Sequence, residues 1–324
     1  MKLPEKKLNV KLIAFDLDDT LLNKETKIAP RTLAAIQKAV EKGIYIVLCS
    51  GRAENGILPY VRALNIAGTQ QGRFIIAFNG ASIFDLHKRI PIYTNQVETD
   101  ILKFVYSEAR KRGMDSVVYE PSVIYSWEDS DWARMDAKLC SLKFKVVPDF
   151  EKFLEKGFPK MLVPSDPEKV KAFKEFLSEK LAGRADIFIS KPFFLEVMSH
   201  GVGKGPSILK LADELGIPHE QTMAFGDSMN DESMLRSCGY GVAMCNGLDY
   251  IKNICDFVTR YDNNNDGIAD FLENYVLEFL NVSLGLISSF FYKLRKNAFG
   301  IFPICSDGFG SRYACINSGA PHGS

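Results

Sequence analysis

The chain has 324 residues, of which 46% are hydrophobic and 25% charged, an ordinary composition that can bury a sizeable core over one large or two ordinary domains. Forty basic side chains balance forty acidic ones, which argues against nucleic-acid binding, because that function usually requires a basic excess. The seven cysteines are odd in number and lack C-x-x-C spacing, so a disulfide framework or a zinc site is disfavoured and a reducing, cytoplasmic location is favoured.

The first part of the chain alternates between strand and helix patterns. Residues 12–15 form a short apolar run that predicts a buried strand ending at Asp16. A helix is predicted over 30–42, since its apolar residues recur at helical spacing, with a proline near the start and a glycine after the end. Further elements are a strand at 44–49, a helix at 53–64 and a strand at 74–78.

The same alternation returns after Lys204. Helices are predicted at 206–215, 231–236, 248–254 and 268–279, and strands at 222–225, 241–244 and 257–258. The segment between the two blocks differs, because it has aromatic strands such as 117–127 and 142–147 beside helices at 100–112 and 167–181. This pattern is typical of an α+β domain inserted into an α/β domain.

We therefore predict an α/β fold with a doubly wound, Rossmann-like parallel sheet as its core. The core comprises residues 1–82 and 199–280, and an α+β cap domain comprises residues 83–198. The cap would lie over the carboxyl ends of the strands, where such sheets bind ligands. The tail at 281–324 changes composition abruptly and is predicted to be loosely packed or disordered.

No segment predicts export or a membrane span. The first ten residues are charged, and no run approaches the roughly 20 apolar residues that a membrane helix needs. The aromatic and basic residues at 290–296 could lie on an anionic membrane surface, but a loosely packed extension is the favoured interpretation. We expect a cytoplasmic monomer or homodimer.

Four polar segments follow predicted strands or begin predicted helices. They are Asp16-Leu17-Asp18-Asp19-Thr20, Ser50-Gly51-Arg52, Lys204-Gly205 and Gly226-Asp227-Ser228-Met229-Asn230-Asp231. Because the carboxyl ends of parallel strands meet at one edge of a sheet, we expect these segments to form one site.

The chemistry of these segments indicates phosphate transfer. Four aspartates in one crevice, Asp16, Asp18, Asp227 and Asp231, require a hard cation, and Mg²⁺ prefers such oxygen ligands. Lys204 supplies a fixed positive charge, Ser50 a hydroxyl donor, and Gly51 allows backbone N–H groups to approach a phosphate closely. Such a site can neutralise phosphoryl oxygens and hold a nucleophile in line.

Together with Asn79-Gly80-Ala81 and Asp266-Gly267-Ile268-Ala269, these segments resemble the haloacid dehalogenase superfamily, and specifically its Cof-like phosphatases with a large inserted cap. The resemblance covers about residues 11–278. It implies that Asp16 attacks phosphorus and becomes an aspartyl-phosphate, while Asp18 protonates the leaving group and then activates water.

The resemblance also implies binding roles for the remaining motif residues. The phosphate or substrate would be bound by Ser50, Gly51, Asn79, Gly80, Lys204 and Asn230. Magnesium would be bound by Asp16, the backbone carbonyl of Asp18, and Asp227. Asp231 would support the metal indirectly, by contacting the groups that bind it.

The expected function is Mg²⁺-dependent hydrolysis of a small phosphorylated metabolite, such as a sugar phosphate. A phosphomutase acting on a sugar phosphate is the first alternative, because it would use the same aspartyl-phosphate. A non-catalytic phosphate-sensing protein is the second and is less favoured, because every matched catalytic position is filled.

Two further motifs have competing interpretations. A nucleotide-binding P-loop ending at Lys204 is disfavoured, because Met198 and Gly205 occupy positions that the pattern reserves for Gly and for Ser or Thr. The segment from Asp262 to Glu273 fits the calcium-loop pattern of an EF-hand. The helix that should precede it is missing, since 255–259 has a strand pattern, so a loop without calcium is the favoured interpretation and calcium binding is the alternative.

Overall fold

The computed structural model describes residues 2–65 and 72–277, and the predicted tail at 281–324 lies outside them. The strands in chain order are β1 (Leu12–Asp16), β2 (Tyr45–Cys49), β3 (Arg73–Ala77), β4 (Ser82–Asp85), β5 (Ile90–Thr94), β6 (Val117–Glu120), β7 (Val123–Ser126), β8 (Lys143–Val146), β9 (Lys160–Pro164), β10 (Ala185–Lys191), β11 (Phe194–Ser199), β12 (Thr222–Gly226), β13 (Tyr240–Ala243) and β14 (Phe257–Val258). The α-helices are α1 (Pro30–Glu41), α2 (Glu54–Ala63), α3 (Thr99–Lys111), α4 (Asp131–Cys140), α5 (Phe150–Phe153), α6 (Pro167–Lys180), α7 (Lys204–Glu214), α8 (Glu232–Ser237), α9 (Asp249–Ile254) and α10 (Gly267–Tyr275).

The first sheet has eight strands in the order β14-β13-β12-β1-β2-β3-β4-β5. The six strands from β14 to β3 are parallel, while β4 and β5 add antiparallel strands at one edge. The predicted α/β core with a parallel sheet is therefore confirmed. Strands β4 and β5 were not predicted, because most of β5 is exposed and lacks the continuous apolar run that marks a buried strand.

Strand β1 lies in the middle of this sheet and is buried on both faces. Ile13 and Phe15 pack in one apolar cluster with residues of α1, α2 and α10, whereas Leu12 and Ala14 pack in another with residues of α7 and α8. Successive side chains of a strand point to opposite faces, so this division shows helices on both sides of the sheet. The two layers of helices hold the carboxyl end of β1, and hence Asp16, in a fixed position.

The second sheet has six strands in the order β10-β11-β9-β6-β7-β8, mostly antiparallel. Its strands run from Val117 to Ser199, so all but the last residue lie within the predicted insert at 83–198. The prediction began that insert at residue 83, but β4 and β5 pair with the first sheet, so the change of sheet comes after Thr94. Among the described residues, no helix is long and apolar enough to cross a membrane.

Candidate active site

The first polar segment forms a tight turn after β1. Asp16 ends the strand and is 5% exposed, and the five-residue turn Leu17–Leu21 follows at once. Within this turn Asp19 has a φ of 59°, in the left-handed region, which bends the chain sharply back. The hydroxyl of Thr20 donates to Oδ1 of Asp227 at 2.9 Å, so the turn is joined directly to the end of β12.

Lys204 is the central cation of the site. It is the first residue of α7, its side chain is fully buried, and its Nζ donates to Oδ1 of Asp16 and to Oδ1 of Asp231, both at 2.6 Å. Burying a lysine is unfavourable unless carboxylates compensate its charge. The paired carboxylates raise the pKa of Lys204 well above its usual value, although burial alone would lower it.

Asp231 also holds the turn after β12. Its Oδ2 accepts hydrogen bonds from the backbone N–H groups of Asp227 and Ser228, at 3.0 and 3.1 Å, and its Oδ1 accepts from Lys204. A Cβ at Gly226 would lie 2.6 Å from the Cβ of Asp231, so glycine is required there. Asp231 therefore fixes both the lysine and the loop that carries Asp227.

Three carboxylates, those of Asp16, Asp227 and Asp231, converge in this crevice. Each offers an oxygen, and these oxygens lie within 4.8 Å of one another. Burial raises the pKa of Asp16 well above its usual value, and repulsion from Asp231 raises it further, while Lys204 opposes both. Burial and then Asp231 raise the pKa of Asp227 to about 7. This excess of negative charge suits a divalent cation with oxygen ligands, so the donor set fits Mg²⁺.

Asp18 does not join that cluster with its side chain. Its carboxylate is about half exposed and accepts two hydrogen bonds from Arg52, from Nε at 3.0 Å and from Nη2 at 2.5 Å. Arg52 belongs to the Ser50-Gly51-Arg52 segment, but the sequence predicted no role for it. The structure assigns it to holding the carboxylate of Asp18.

Ser50 and Gly51 lie where β2 ends. Ser50 is buried, and its Oγ accepts a hydrogen bond from the backbone N–H of Arg52 at 3.2 Å. Gly51 packs tightly against Asn79, because an added Cβ would lie 3.1 Å from that side chain. The end of β2 thus reaches the end of β3, as expected for neighbouring parallel strands.

Asn79 and Gly80 lie in a strained turn after β3. Phe78, Asn79 and Gly80 all have positive φ, at 50°, 51° and 111°, which is uncommon for consecutive residues and is frequent at functional sites. The Asn79 side chain donates to Glu196 at 3.2 Å and accepts from Asn230 at 3.3 Å. A Cβ at Gly80 would lie 2.3 Å from the backbone oxygen of Gly203, so the turn packs closely against the start of α7.

Lys160 and Glu196 reach this site from the second sheet and were missed by the sequence reasoning. They form a buried ion pair at 3.2 Å on β9 and β11. Lys160 also donates to the backbone oxygen of Gly51 at 3.1 Å, while Glu196 accepts from Asn79. The available signal was a single charged residue in each of two otherwise apolar strands, Lys160 at the start of β9 and Glu196 within β11. Charged residues are rarely buried without a partner.

The EF-hand-like loop uses its polar side chains for other contacts. Asp262 accepts from the backbone N–H of Asn264 at 2.9 Å, Asp266 accepts from Thr32 at 3.2 Å, and Glu273 pairs with Arg31 at 2.7 Å. In residues 2–65 and 72–277, the carboxylates that converge as a potential metal site are those of Asp16, Asp227 and Asp231. The structure therefore does not bring the acidic residues of the calcium pattern together, in line with the favoured interpretation.

Comparison with known proteins agrees with this geometry. A family model for haloacid dehalogenase-like hydrolases matches residues 13–272. The 5-amino-6-(5-phospho-D-ribitylamino)uracil phosphatase YcsE of Bacillus subtilis (strain 168) is 28% identical over 277 residues, covering 86% of this chain and 100% of that protein. Among solved structures, a haloacid dehalogenase-like hydrolase from Bacteroides thetaiotaomicron is 30% identical with a TM-score of 0.76, covering 82% of this chain and 99% of that one.

A subclass IIB sugar phosphatase, BT4131, is 26% identical with a TM-score of 0.69, covering 81% of this chain and 97% of that one. The chain belongs to the haloacid dehalogenase-like hydrolases. It is a Cof-like phosphatase of that superfamily, which confirms the family and the enzyme class expected from the sequence.

Proposed function

We propose that this phosphatase hydrolyses a small phosphomonoester through an aspartyl-phosphate on Asp16, with Mg²⁺ as its cofactor. The observation that carries this proposal is the buried arrangement in which Lys204 holds both Asp16 and Asp231 at 2.6 Å while Asp227 lies beside them. It supports a nucleophile fixed in orientation at the carboxyl edge of the sheet, with positive charge available for the phosphoryl oxygens.

In the first step, an Oδ of Asp16 attacks phosphorus, forming one P–O bond as the P–O bond to the leaving group breaks. The proton that the leaving oxygen needs comes from Asp18. Asp18 then takes a proton from water, which attacks phosphorus, breaks the bond to Asp16 and releases phosphate. Because Arg52 holds the Asp18 carboxylate in the resting site, we propose that Asp18 exchanges Arg52 for the substrate during the cycle.

Other side chains bind the phosphate and the metal. We assign the phosphate to Ser50, Lys204 and the backbone N–H groups at Gly51, with substrate contacts from Asn79, Gly80 and Asn230. Asp16, Asp227 and the carbonyl of Asp18 would hold Mg²⁺, with Asp231 in support. When bound, the ion supplies positive charge that offsets both the carboxylates and the phosphoryl group.

The segment that carries the second sheet is proposed to act as a cap. Its Lys160 and Glu196 contact Gly51 and Asn79 across the crevice, and a cavity of about 950 Å³ lies beside Asn79, Lys204 and Asn230. Closure of such a cap would exclude water from the site and select the group that carries the phosphate. A cytoplasmic location and a monomeric or dimeric state stay predictions.

Substrate class can be tested with a panel of phosphorylated metabolites. With Mg²⁺ we expect release of inorganic phosphate from sugar phosphates, the substrate class of BT4131, or from a phosphoribitylamino compound such as the substrate named for YcsE. Chelation should abolish that release. A phosphomutase would instead form an isomeric ester without net phosphate release, and a phosphate-sensing protein would change no ester at all.

Mg²⁺ should also stabilise the folded protein, because it binds a preformed carboxylate cluster. At 100 times its dissociation constant, a ligand of the native state adds about 2.7 kcal/mol. We expect Asp227→Asn to abolish most of the rise in melting temperature that Mg²⁺ produces, as measured by calorimetry. Asp262→Asn, in the EF-hand-like loop, is the matched control and should keep the rise. The assignment is wrong if the two variants respond in the opposite way.

A further inference from the structure

A second cavity, of about 820 Å³, lies between α2, strands β4 and β5 and the cap. None of Asp16, Ser50, Lys204 and Asp227 lines it. Its volume falls within the usual range for small-molecule sites, which are mostly apolar with a few polar groups. The cavity is therefore large enough for a ligand that the phosphate chemistry does not require.

The strained turn after β3 separates this cavity from the catalytic crevice. Phe78 lines the second cavity, whereas Asn79, the next residue, lines the cavity beside Lys204. Phe78 also packs edge-on against Tyr119 of the cap, with ring centroids 5.9 Å apart. Nearby, the backbone N–H of Asn55 donates to the carbonyl of Pro121 of the cap at 3.4 Å. These contacts join the core and the cap beside the second cavity, whose lining includes none of the site's aspartates.

One face of α2 supplies three chemically different groups to this cavity. Glu54, Leu58 and Arg62 all line it and are spaced four residues apart, which places them on one side of the helix. Eight residues of helix correspond to about 12 Å between the first and the last of them. The order along the cavity is thus a carboxylate, an aliphatic side chain and a guanidinium.

Glu54 carries an unused hydrogen-bond acceptor. Its Oε1 accepts from the hydroxyl of Ser82 at 2.7 Å. Its Oε2 is buried and has no hydrogen-bond partner. A buried acceptor without a partner costs about 1–3 kcal/mol, and a donor on a ligand would remove that cost.

Two arginines also line the cavity, and Arg62 lies at the other end of the α2 face from Glu54. Arg62 and Arg89 both line it, both are exposed, and neither has an ion pair with a described residue. Most other arginines in the described part of the chain contact a carboxylate or an aromatic ring. Two uncompensated guanidinium groups favour an anionic group on the ligand.

We infer that this cavity is a second binding site, for an elongated amphipathic molecule. Its ligand has an amine or hydroxyl donor at one end for Glu54, an apolar middle against Leu58 and Phe84, and a carboxylate or phosphate about 12 Å away for Arg62, with Arg89 as a second cation of the same cavity. The site is distinct from that of the phosphate ester and does not depend on the proposed reaction.

The test is isothermal titration calorimetry with 10-aminodecanoate, which has these three parts. Decanoate lacks the donor and decylamine lacks the anion, and we expect each to bind at least about tenfold more weakly. In Glu54→Gln, 10-aminodecanoate should bind no more tightly than decanoate. In the double variant Arg62→Ala, Arg89→Ala, it should bind no more tightly than decylamine. The control Lys169→Ala, Lys171→Ala removes the same charge from exposed positions of α6 and should bind normally.

Binding should be unchanged in Asp16→Asn and in saturating inorganic phosphate, so the outcome is separable from the catalytic proposal. The inference is overturned by absence of saturable binding, by equal affinity of the three probes, by equal loss in the control variant, or by competition with phosphate. Competition would place the cavity within the catalytic site rather than beside it.

Discussion

Replacing Asp16 with asparagine is expected to reduce turnover by at least about 10⁴-fold, the scale seen when a catalytic nucleophile is removed. An amide is a poor nucleophile and cannot form the acyl phosphate. The side-chain oxygen of asparagine can still accept the hydrogen bond from Lys204, so the geometry of the site is retained. Steady-state kinetics with Mg²⁺ measure this loss.

The same variant should fold at least as stably as the unmodified protein. Burial and repulsion from Asp231 raise the pKa of Asp16, so its ionised form is disfavoured where it lies, and a neutral side chain relieves that repulsion. The control is Asp249→Asn, which removes the same charge from a side chain that is 94% exposed and should keep full activity. Near-normal activity in Asp16→Asn would show that another group attacks phosphorus.

Replacing Lys204 with methionine should cost both stability and activity. The substitution leaves two buried carboxylates, those of Asp16 and Asp231, without their shared cation. Breaking a buried ion pair from one side usually costs about 3–5 kcal/mol. We expect a loss of this size in denaturant unfolding, together with loss of phosphate binding and turnover. Lys171→Met, on the exposed surface of α6, is the control and should change neither.

A double variant separates the charge from the loss of packing. Adding Asp16→Asn to Lys204→Met removes one of the two unpaired carboxylates, so part of the lost stability should return. If the changes in unfolding free energy of the two substitutions simply add, the charges of Lys204 and Asp16 do not interact energetically. That result would be incompatible with the bonds from Lys204 to both carboxylates.

Much of the site could be predicted because parallel strands bring their carboxyl ends together. The apolar run before Asp16 is a local signal of a buried strand, and the same rule applies to Ser50 and Asp227. Once these strands are neighbours, their terminal residues meet without further information. Lys204 begins α7 and is not a strand end, so the sequence predicted that it belongs to the site but not its bonds to Asp16 and Asp231.

The contacts that the sequence did not predict depend on distant partners. Lys160 and Glu196 reach the site from another sheet, and no local pattern specifies where that sheet docks. Asp18 and Arg52 lie in the turns after two neighbouring strands, and their pairing depends on the conformation of those turns, which no local pattern specifies. In the EF-hand-like segment, the missing helix already disfavoured calcium. The sequence did not predict that Arg31 of α1 pairs with Glu273, the residue that the pattern assigns to calcium.

The covalent intermediate can be measured directly. Turnover is quenched in acid, the protein is reduced with borohydride, and the peptide that contains Asp16 is analysed by mass spectrometry. Borohydride reduces an acyl phosphate to an alcohol but leaves a free carboxylate unchanged, so Asp16 should be converted to homoserine only after incubation with substrate and Mg²⁺. Conversion of a different residue, or an unchanged Asp16 during active turnover, would contradict the assignment of Asp16 as the nucleophile.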